Sequence, residues 1–279
     1  MTAIEQDAAR TARILRMPTA DDDKYSRGVV GLRTGSADYP GAAVLGVSAA
    51  WHAGCGMVRY IGPARAADMV LAHRPETVTA PGRVQAWVIG SGTDAASRDP
   101  SETEALRDVL AAGDPVVVDA GALDLAPEAT APMILTPHAR EFARLREALG
   151  LAPMGEREAE ALQTSRETGA VVLLKGAVTL VADPGGGLRR IRSGVPWLAT
   201  AGTGDVLAGA LGAVVAGAVA AGDPSPEHLA DAAAAAAWLH GRAGALAAAR
   251  WGSRGGPITA SDVADHLPRA VGETLAARR

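Results

Sequence analysis

Residue types and spacing first suggest chemistry where an acid is set among glycines at the mouth of an apolar run, in Ala201-Gly202-Thr203-Gly204-Asp205-Val206-Leu207. Gly202 and Gly204 let the backbone turn tightly. The helix predicted to follow points its unpaired N–H groups and positive dipole end into that turn, which makes a hole for an anion. Asp205 then reads in two ways: a helix cap, or a general base that takes a proton from a hydroxyl while the N–H groups hold a phosphoryl group in transfer. A second element, Lys175-Gly176-Ala177-Val178-Thr179, turns out of an apolar strand. Its lysine is an ordinary hairpin charge, or, beside a phosphate, the cation for a nucleotide.

Three further segments carry the same double reading. Gly35-Ser36 with Tyr39-Pro40-Gly41-Ala42-Ala43 enters a helix without large side chains, which suits close helix-to-sheet packing or close approach of a ligand. In Thr136-Pro137-His138-Ala139-Arg140-Glu141, Thr is the expected cap and Pro the first helical residue. His138 in that first turn is disfavoured as a cation by the helix dipole and serves as a neutral hydrogen-bonding group. Glu141 either reaches a magnesium ion, directly or through water, or is simply an acid favoured near a helix start. Gly90-Ser91-Gly92-Thr93-Asp94 follows a predicted strand as a ligand loop or an ordinary turn. Neither the dinucleotide Gly-x-Gly-x-x-Gly pattern nor a Walker A motif is present. Cys55 reads as a small buried residue. The histidines His52, His73, His228, His240 and His266 show no metal-ligand spacing, so no zinc site is predicted.

These segments need a scaffold that brings them together. Strands are predicted at Gly28 to Leu32, Met57 to Ile61, Arg83 to Ile89, Pro115 to Asp119, Met133 to Leu135 and Val171 to Leu174, followed by a meander through Val178 to Ala182 and Leu188 to Ile191. Helices are predicted from Gly41 to Ala53, from a Ser101–Glu104 capping box through Leu110, after Thr136-Pro137, and over 204–221, 226–249 and 260–276. Strands apolar throughout, alternating with helices, predict an α/β fold with a mostly parallel central sheet covered on both faces. In such sheets ligands lie beyond the carboxyl ends of the strands, so the glycine-rich turns should converge there.

Composition narrows the function classes. The 279 residues include 33 Gly but only five Trp, three Tyr and one Phe, so the core must be built from Ala, Val and Leu. A net charge of −4 gives no footprint for nucleic acid or anionic lipid, so no nucleic-acid or membrane partner is expected. The uncharged stretch Val206 to Gly222, with Asp205 and Asp223 at its edges, is read as a buried helix rather than a membrane span. A single Cys and a Met1 to Arg16 segment with no apolar leader predict a reducing, cytoplasmic setting.

Taken in order, the elements resemble the ATP/ADP-dependent NAD(P)H-hydrate dehydratases of the ribokinase-like superfamily. The motifs run from Lys24 to Val215 and also include Val118-Asp119-Ala120. The resemblance implies one ribokinase-like domain over residues 24–279, after an N-terminal extension of residues 1–23. It also implies a repair lyase that restores NADH or NADPH from the hydrated cofactor with ADP, or ATP, as cosubstrate and Mg2+ as cofactor. By the same resemblance Asp205 is the catalytic base and Gly202, Thr203 and Gly204 hold the moving phosphoryl group. Lys175, Gly176, Ala177, Val178, Thr179 and Gly204 bind the adenine nucleotide, and Ala43, Gly92, His138 and Asp205 line the site for the hydrated cofactor; Glu141 stays the candidate metal ligand by its place in the helix alone. Relatives of this type suggest a homo-oligomer, a tetramer, with epimerisation of the other substrate isomer carried out elsewhere. Departures from the family pattern are Gly121, Asp124 and Gly90-Ser91-Gly92. The competing expectations are a kinase of the same superfamily acting on a vitamin-precursor alcohol, and a nucleotide-binding regulatory module without turnover.

Overall fold

The structure, a computed structural model, describes residues 3–222 and 224–278; Asp223 lies outside the described residues. In chain order the first half contains β1 (Ile4–Glu5), α1 (Ala8–Ile14), β2 (Val29–Arg33), α2 (Pro40–Ala53), β3 (Met57–Tyr60), α3 (Ala64–His73), β4 (Ala86–Ile89), α4 (Pro100–Ala111) and β5 (Val116–Val118). A 3-10 turn over Ala120–Glu128 leads to β6 (Met133–Leu135), α5 (Ala139–Ala148), α6 (Arg157–Thr168), β7 (Val171–Leu174), β8 (Thr179–Ala182) and β9 (Leu188–Ile191). The chain ends in α7 (Thr203–Ala220), α8 (Pro226–Ala249) and α9 (Ala260–Ala276).

The strands form one sheet in the order β1-β9-β8-β7-β6-β5-β4-β2-β3. It is parallel from β3 to β7, and β8 then runs antiparallel to both β7 and β9. Alternate residues of each strand feed two different cores. Val30, Leu32, Val88, Val117, Ile134 and Leu173 face the one that includes α2, α7, α8 and α9. Ile89, Val116, Val118, Leu135, Val172 and Leu174 face the one formed with α4, α5, α6 and the 3-10 turn. A sheet covered on both sides needs apolar residues at every position, which is why these strands read as continuous Val/Leu runs.

The helix that carries the glycine–aspartate turn is placed by its lack of side chains. A Cβ on Gly209 of α7 would lie 2.0 Å from the carbonyl oxygen of Gly46 in α2, and one on Gly212 would lie 2.2 Å from Val88 Cγ2 of β4. α7 therefore packs backbone to backbone against α2 and flush on the sheet, and the Gly- and Ala-rich, aromatic-poor composition is the means of doing so. Among the described helices it is the one long and apolar enough to cross a membrane, and 72% of that span is buried inside the fold.

Several local expectations shift. α4 is capped by Asp99, whose carboxylate accepts the Ser101 N–H at 2.8 Å, not by the Ser101–Glu104 box. Pro100 at the first helical position has a fixed φ and no N–H to offer, so the cap falls on the residue before it. α5 begins at Ala139 with His138 as its cap, because the Thr136 hydroxyl is drawn instead to Asp119 at 2.7 Å. The segment before residue 24 contributes β1, which pairs parallel with β9, and α1, which buries Thr11 and Ala12.

The helix contact yields a paired expectation. Gly209→Val should lower stability by about 3 kcal/mol or more, since the neighbour it meets is backbone and cannot yield. Gly217→Ala meets only the Arg27 carbonyl at 3.8 Å and should gain roughly 0.5 kcal/mol from helix propensity. Denaturant unfolding of the two variants checks both.

Candidate active site

The parallel strands end in line: Arg33 pairs with Ile89, Ile89 with Val118 and Val118 with Leu135. The residues that follow these ends are Thr34, Gly90 to Gly92, Asp119 and Thr136, with Lys175 after β7. Asp119 sits at their centre, 3% exposed. Its Oδ1 accepts hydrogen bonds from Thr136 Oγ1 at 2.7 Å and Lys175 Nζ at 2.9 Å, and its Oδ2 accepts one from Ser91 Oγ at 2.9 Å. One carboxylate thus ties together the ends of β4, β5, β6 and β7.

Lys175 is held from several sides. Nζ lies 3.8 Å from Glu141 Oε2 as well as 2.9 Å from Asp119. Burial alone would push the ammonium down, but Asp119, Glu141 and Asp205 together hold it above the ordinary lysine range. A Cβ on Gly204 would meet only Lys175 Nζ, at 3.8 Å, so the cation stands beside the first turn of α7. Gly202 caps that helix at φ 88°, a left-handed conformation suited to glycine, and Leu45 Cδ1 and Ala260 Cβ would crowd any side chain there at 2.8 and 2.9 Å. Asp205 lies in the first turn. Burial, and then the negative charge of Asp119, push its carboxyl from 3.8 up to about 7, while Lys175 pulls the other way. A carboxylate beside a helix N-terminus would ordinarily be more acidic than normal; this one is poised to exchange a proton near neutrality.

His138 and Glu141 form a reciprocal cap on α5. His138 Nδ1 accepts the N–H groups of Arg140 and Glu141 at 3.1 and 3.3 Å, and Glu141 Oε2 accepts the His138 N–H at 2.8 Å. Among the described residues no group of three or more His, Cys, Asp or Glu side chains is arranged to hold a metal ion. Glu141 Oε1 takes no backbone bond and lies 3.4 Å from His138 Nε2. One carboxylate oxygen is a donor of the kind that Mg2+ takes when it retains waters and uses other anionic oxygens as further ligands.

A cavity of about 660 Å3 opens beside this cluster, walled by His138, Lys175, Gly176, Ala177, Thr179, Thr203 and Gly204 together with the segment from Ile191 to Ala199 and the α8 residues Ala237, His240 and Gly241. Val178 points elsewhere, toward the core under α6, and its carbonyl accepts from Arg157 at 3.2 Å. Gly92 packs against Ala42 and Gly35, and Ala43 is fully buried beneath Gly35; none of them lines the cavity beside Lys175. Asp119 acquired no individual role from the sequence; its signal was an acid ending a run of three buried valines. His240 was set aside there for lack of metal spacing, yet it lines the cavity, and burial pushes its imidazole down to about 4.

A testable consequence concerns stability. Asp205 binds its proton more tightly folded than unfolded, so between about pH 4 and 7 this group lowers stability as pH rises. Asp205→Asn should therefore raise Tm at pH 8, with the gain shrinking toward pH 4. Thermal melts of both proteins across that range measure it.

Comparison with known proteins agrees with this geometry. A family model described as NAD(P)H-hydrate dehydratase matches residues 30–269. The bifunctional NAD(P)H-hydrate repair enzyme Nnr of Mycobacterium leprae is 45% identical over 276 residues, 95% of this chain, which spans 55% of that protein's length. The ADP-dependent (S)-NAD(P)H-hydrate dehydratase of Neisseria meningitidis serogroup B is 34% identical, over 85% of this chain and 83% of its own. The crystal structure of the ADP/ATP-dependent NAD(P)H-hydrate dehydratase of Bacillus subtilis, co-crystallised with ATP/Mg2+, superposes with a TM-score of 0.81 at 27% identity, covering 98% of this chain and 99% of that one. Hydroxyethylthiazole kinase from Pyrococcus horikoshii shares the fold at a TM-score of 0.63 and 17% identity, covering 97% of this chain and 96% of its own.

Proposed function

The chain belongs to the NAD(P)H-hydrate dehydratase family, and from that premise we propose that it restores NADH and NADPH from their hydrated forms, consuming ADP, or ATP in its place, and with ADP releasing AMP and phosphate. The observation that carries this reading is Asp205: a carboxyl poised near pH 7 in the first turn of α7, a helix start with no side-chain cap and with the Lys175 ammonium beside Gly204.

The chemistry follows from the leaving group. Hydroxide leaves a ring carbon poorly, and phosphate leaves well. Asp205 takes the proton of the ring hydroxyl as its oxygen attacks the terminal phosphorus of the nucleotide, and the bond from that phosphorus to the nucleotide's bridging oxygen breaks. The N–H groups of the Gly202–Gly204 turn and the Lys175 ammonium stabilise the charge on the phosphoryl group in transit. The ring nitrogen's electron pair then expels phosphate, and loss of a proton from the adjacent carbon restores the ring double bond. Glu141 Oε1 would hold Mg2+, which neutralises charge on the nucleotide phosphates when bound. The reading places the nucleotide along Lys175 to Thr179 and the hydrated ring toward Gly92 and His138, and it includes a cytoplasmic homotetramer.

Incubation with hydrated NADH and either nucleotide should restore the absorbance of the reduced nicotinamide ring; no recovery with ADP or with ATP defeats the proposal, and accumulation of a phosphorylated product instead would favour a kinase. The base must be ionised to act, so kcat/KM, which follows the free enzyme, should rise with pH through about 7 and level off above it. Asp205→Asn should cost about 1,000-fold or more in kcat while ADP still binds, as calorimetry would register.

A further inference from the structure

The hydroxyl of Thr203, in the first turn of α7, is spent on the chain just before it. Oγ1 lies 2.9 Å from the carbonyl oxygens of both Leu198 and Thr200, and the residue is buried. A second hydroxyl, Thr200 Oγ1, donates to the Trp197 carbonyl at 2.9 Å. We propose that Thr203 and Thr200 are positioning residues whose hydroxyls strap the 3-10 turn Pro196–Leu198 to the start of α7, and so hold in place the cavity wall against which the adenine nucleotide binds. The proposal rests on the adenine-nucleotide reading above and adds what fixes that wall.

Counting donors separates a strap from a phosphate ligand. A threonine hydroxyl has one proton to give. Here two carbonyl oxygens, which only accept, compete for it. A phosphoryl oxygen, ionised at neutral pH, also only accepts, so Thr203 could donate to one only by releasing the wall. The phosphoryl group is left to the N–H groups of the Gly202–Gly204 turn and to Lys175, and the Thr203 hydroxyl acts on the nucleotide through Leu198.

Leu198 is where such a strap has effect. It lines the cavity together with Val195, Pro196 and Ala199. A Cβ on Gly244 would lie 2.6 Å from Leu198 Cδ2, so the leucine side chain rests on the backbone of α8 while its carbonyl is tied to α7. Within the turn itself the Leu198 N–H bonds the Val195 carbonyl and the Ala199 N–H bonds the Pro196 carbonyl, each at 3.0 Å, and Pro196, Trp197 and Thr200 are exposed. A short, exposed turn of this kind opens easily unless side chains hold it to the rest of the fold. The two threonine hydroxyls supply that hold, between the seat on α8 and the start of α7.

The test titrates the full-length protein with ADP by calorimetry, separately from turnover. Thr203→Val, which keeps the shape and removes the hydroxyl, should bind ADP about five-fold more weakly, and Thr203→Ser, which returns the hydroxyl, should recover most of the affinity. In steady state the rise in the nucleotide KM of Thr203→Val should exceed the fall in kcat, and amide hydrogen exchange over residues 196–200 should quicken in Thr203→Val but not in Thr203→Ser. Unchanged ADP affinity in Thr203→Val overturns the assignment, and so does a loss of kcat greater than the rise in KM, which would mark a hydroxyl acting on the phosphoryl group in transit. Should Thr203→Val fail to fold, Thr200→Val at its exposed position decides: ADP binding weakened about two-fold or more supports the strap, and unchanged binding overturns it. Unchanged affinity in a protein that repairs hydrated NADH leaves the proposed function intact. Weakened ADP binding without any repair by the wild-type protein supports the strap and defeats the dehydratase reading, and a wild-type protein that binds no ADP defeats both.

Discussion

The carboxylate of Asp119 is the point on which the rest of the site depends. It is buried, and it is satisfied by a serine, a threonine and a lysine that arrive from three other strand ends. A buried ion pair of this kind contributes little net stability, because desolvating two charges offsets most of their attraction. Its value here is positional. The pair fixes the Lys175 ammonium beside the α7 N-terminus, and the same negative charge helps to keep Asp205 from ionising early. The Lys175 ammonium and the Asp205 carboxyl are therefore both set by one residue.

The second requirement is that α7 arrive at that place. A helix with ordinary side chains would stand off the sheet and off α2; glycines at 209 and 212 remove the distance. Composition, packing and chemistry are thus one argument. The scarcity of aromatics follows from a core in which the helix carrying Asp205 is seated by absence of bulk.

Much of this was legible from residue pattern. Met133–Leu135, Val171–Leu174 and Leu188–Ile191, and the helices Pro226–Ala249 and Ala260–Ala276, lie where the apolar runs and turn residues put them. The glycine–aspartate turn and Lys175 indeed meet, as a sheet with ligands at its carboxyl edge requires. The helices α3 and α6 were not anticipated, and the cap of α5 moved from Thr136 to His138 because a tertiary partner, Asp119, outbid the local one. His240 was illegible for a related reason. Within an alanine-rich helix its place at the cavity comes from the packing of Gly241 against the loop after β9, which lies far away in sequence.

The contact between Gly46 and Gly209 also bears on motion. With one backbone resting on another at mid-helix, α7 cannot move toward α2 or the sheet without a backbone clash. The Gly202–Gly204 turn is consequently anchored through α7 to α2 and the sheet, whereas the cavity wall from Ser193 to Ala199 is loop and a short 3-10 turn.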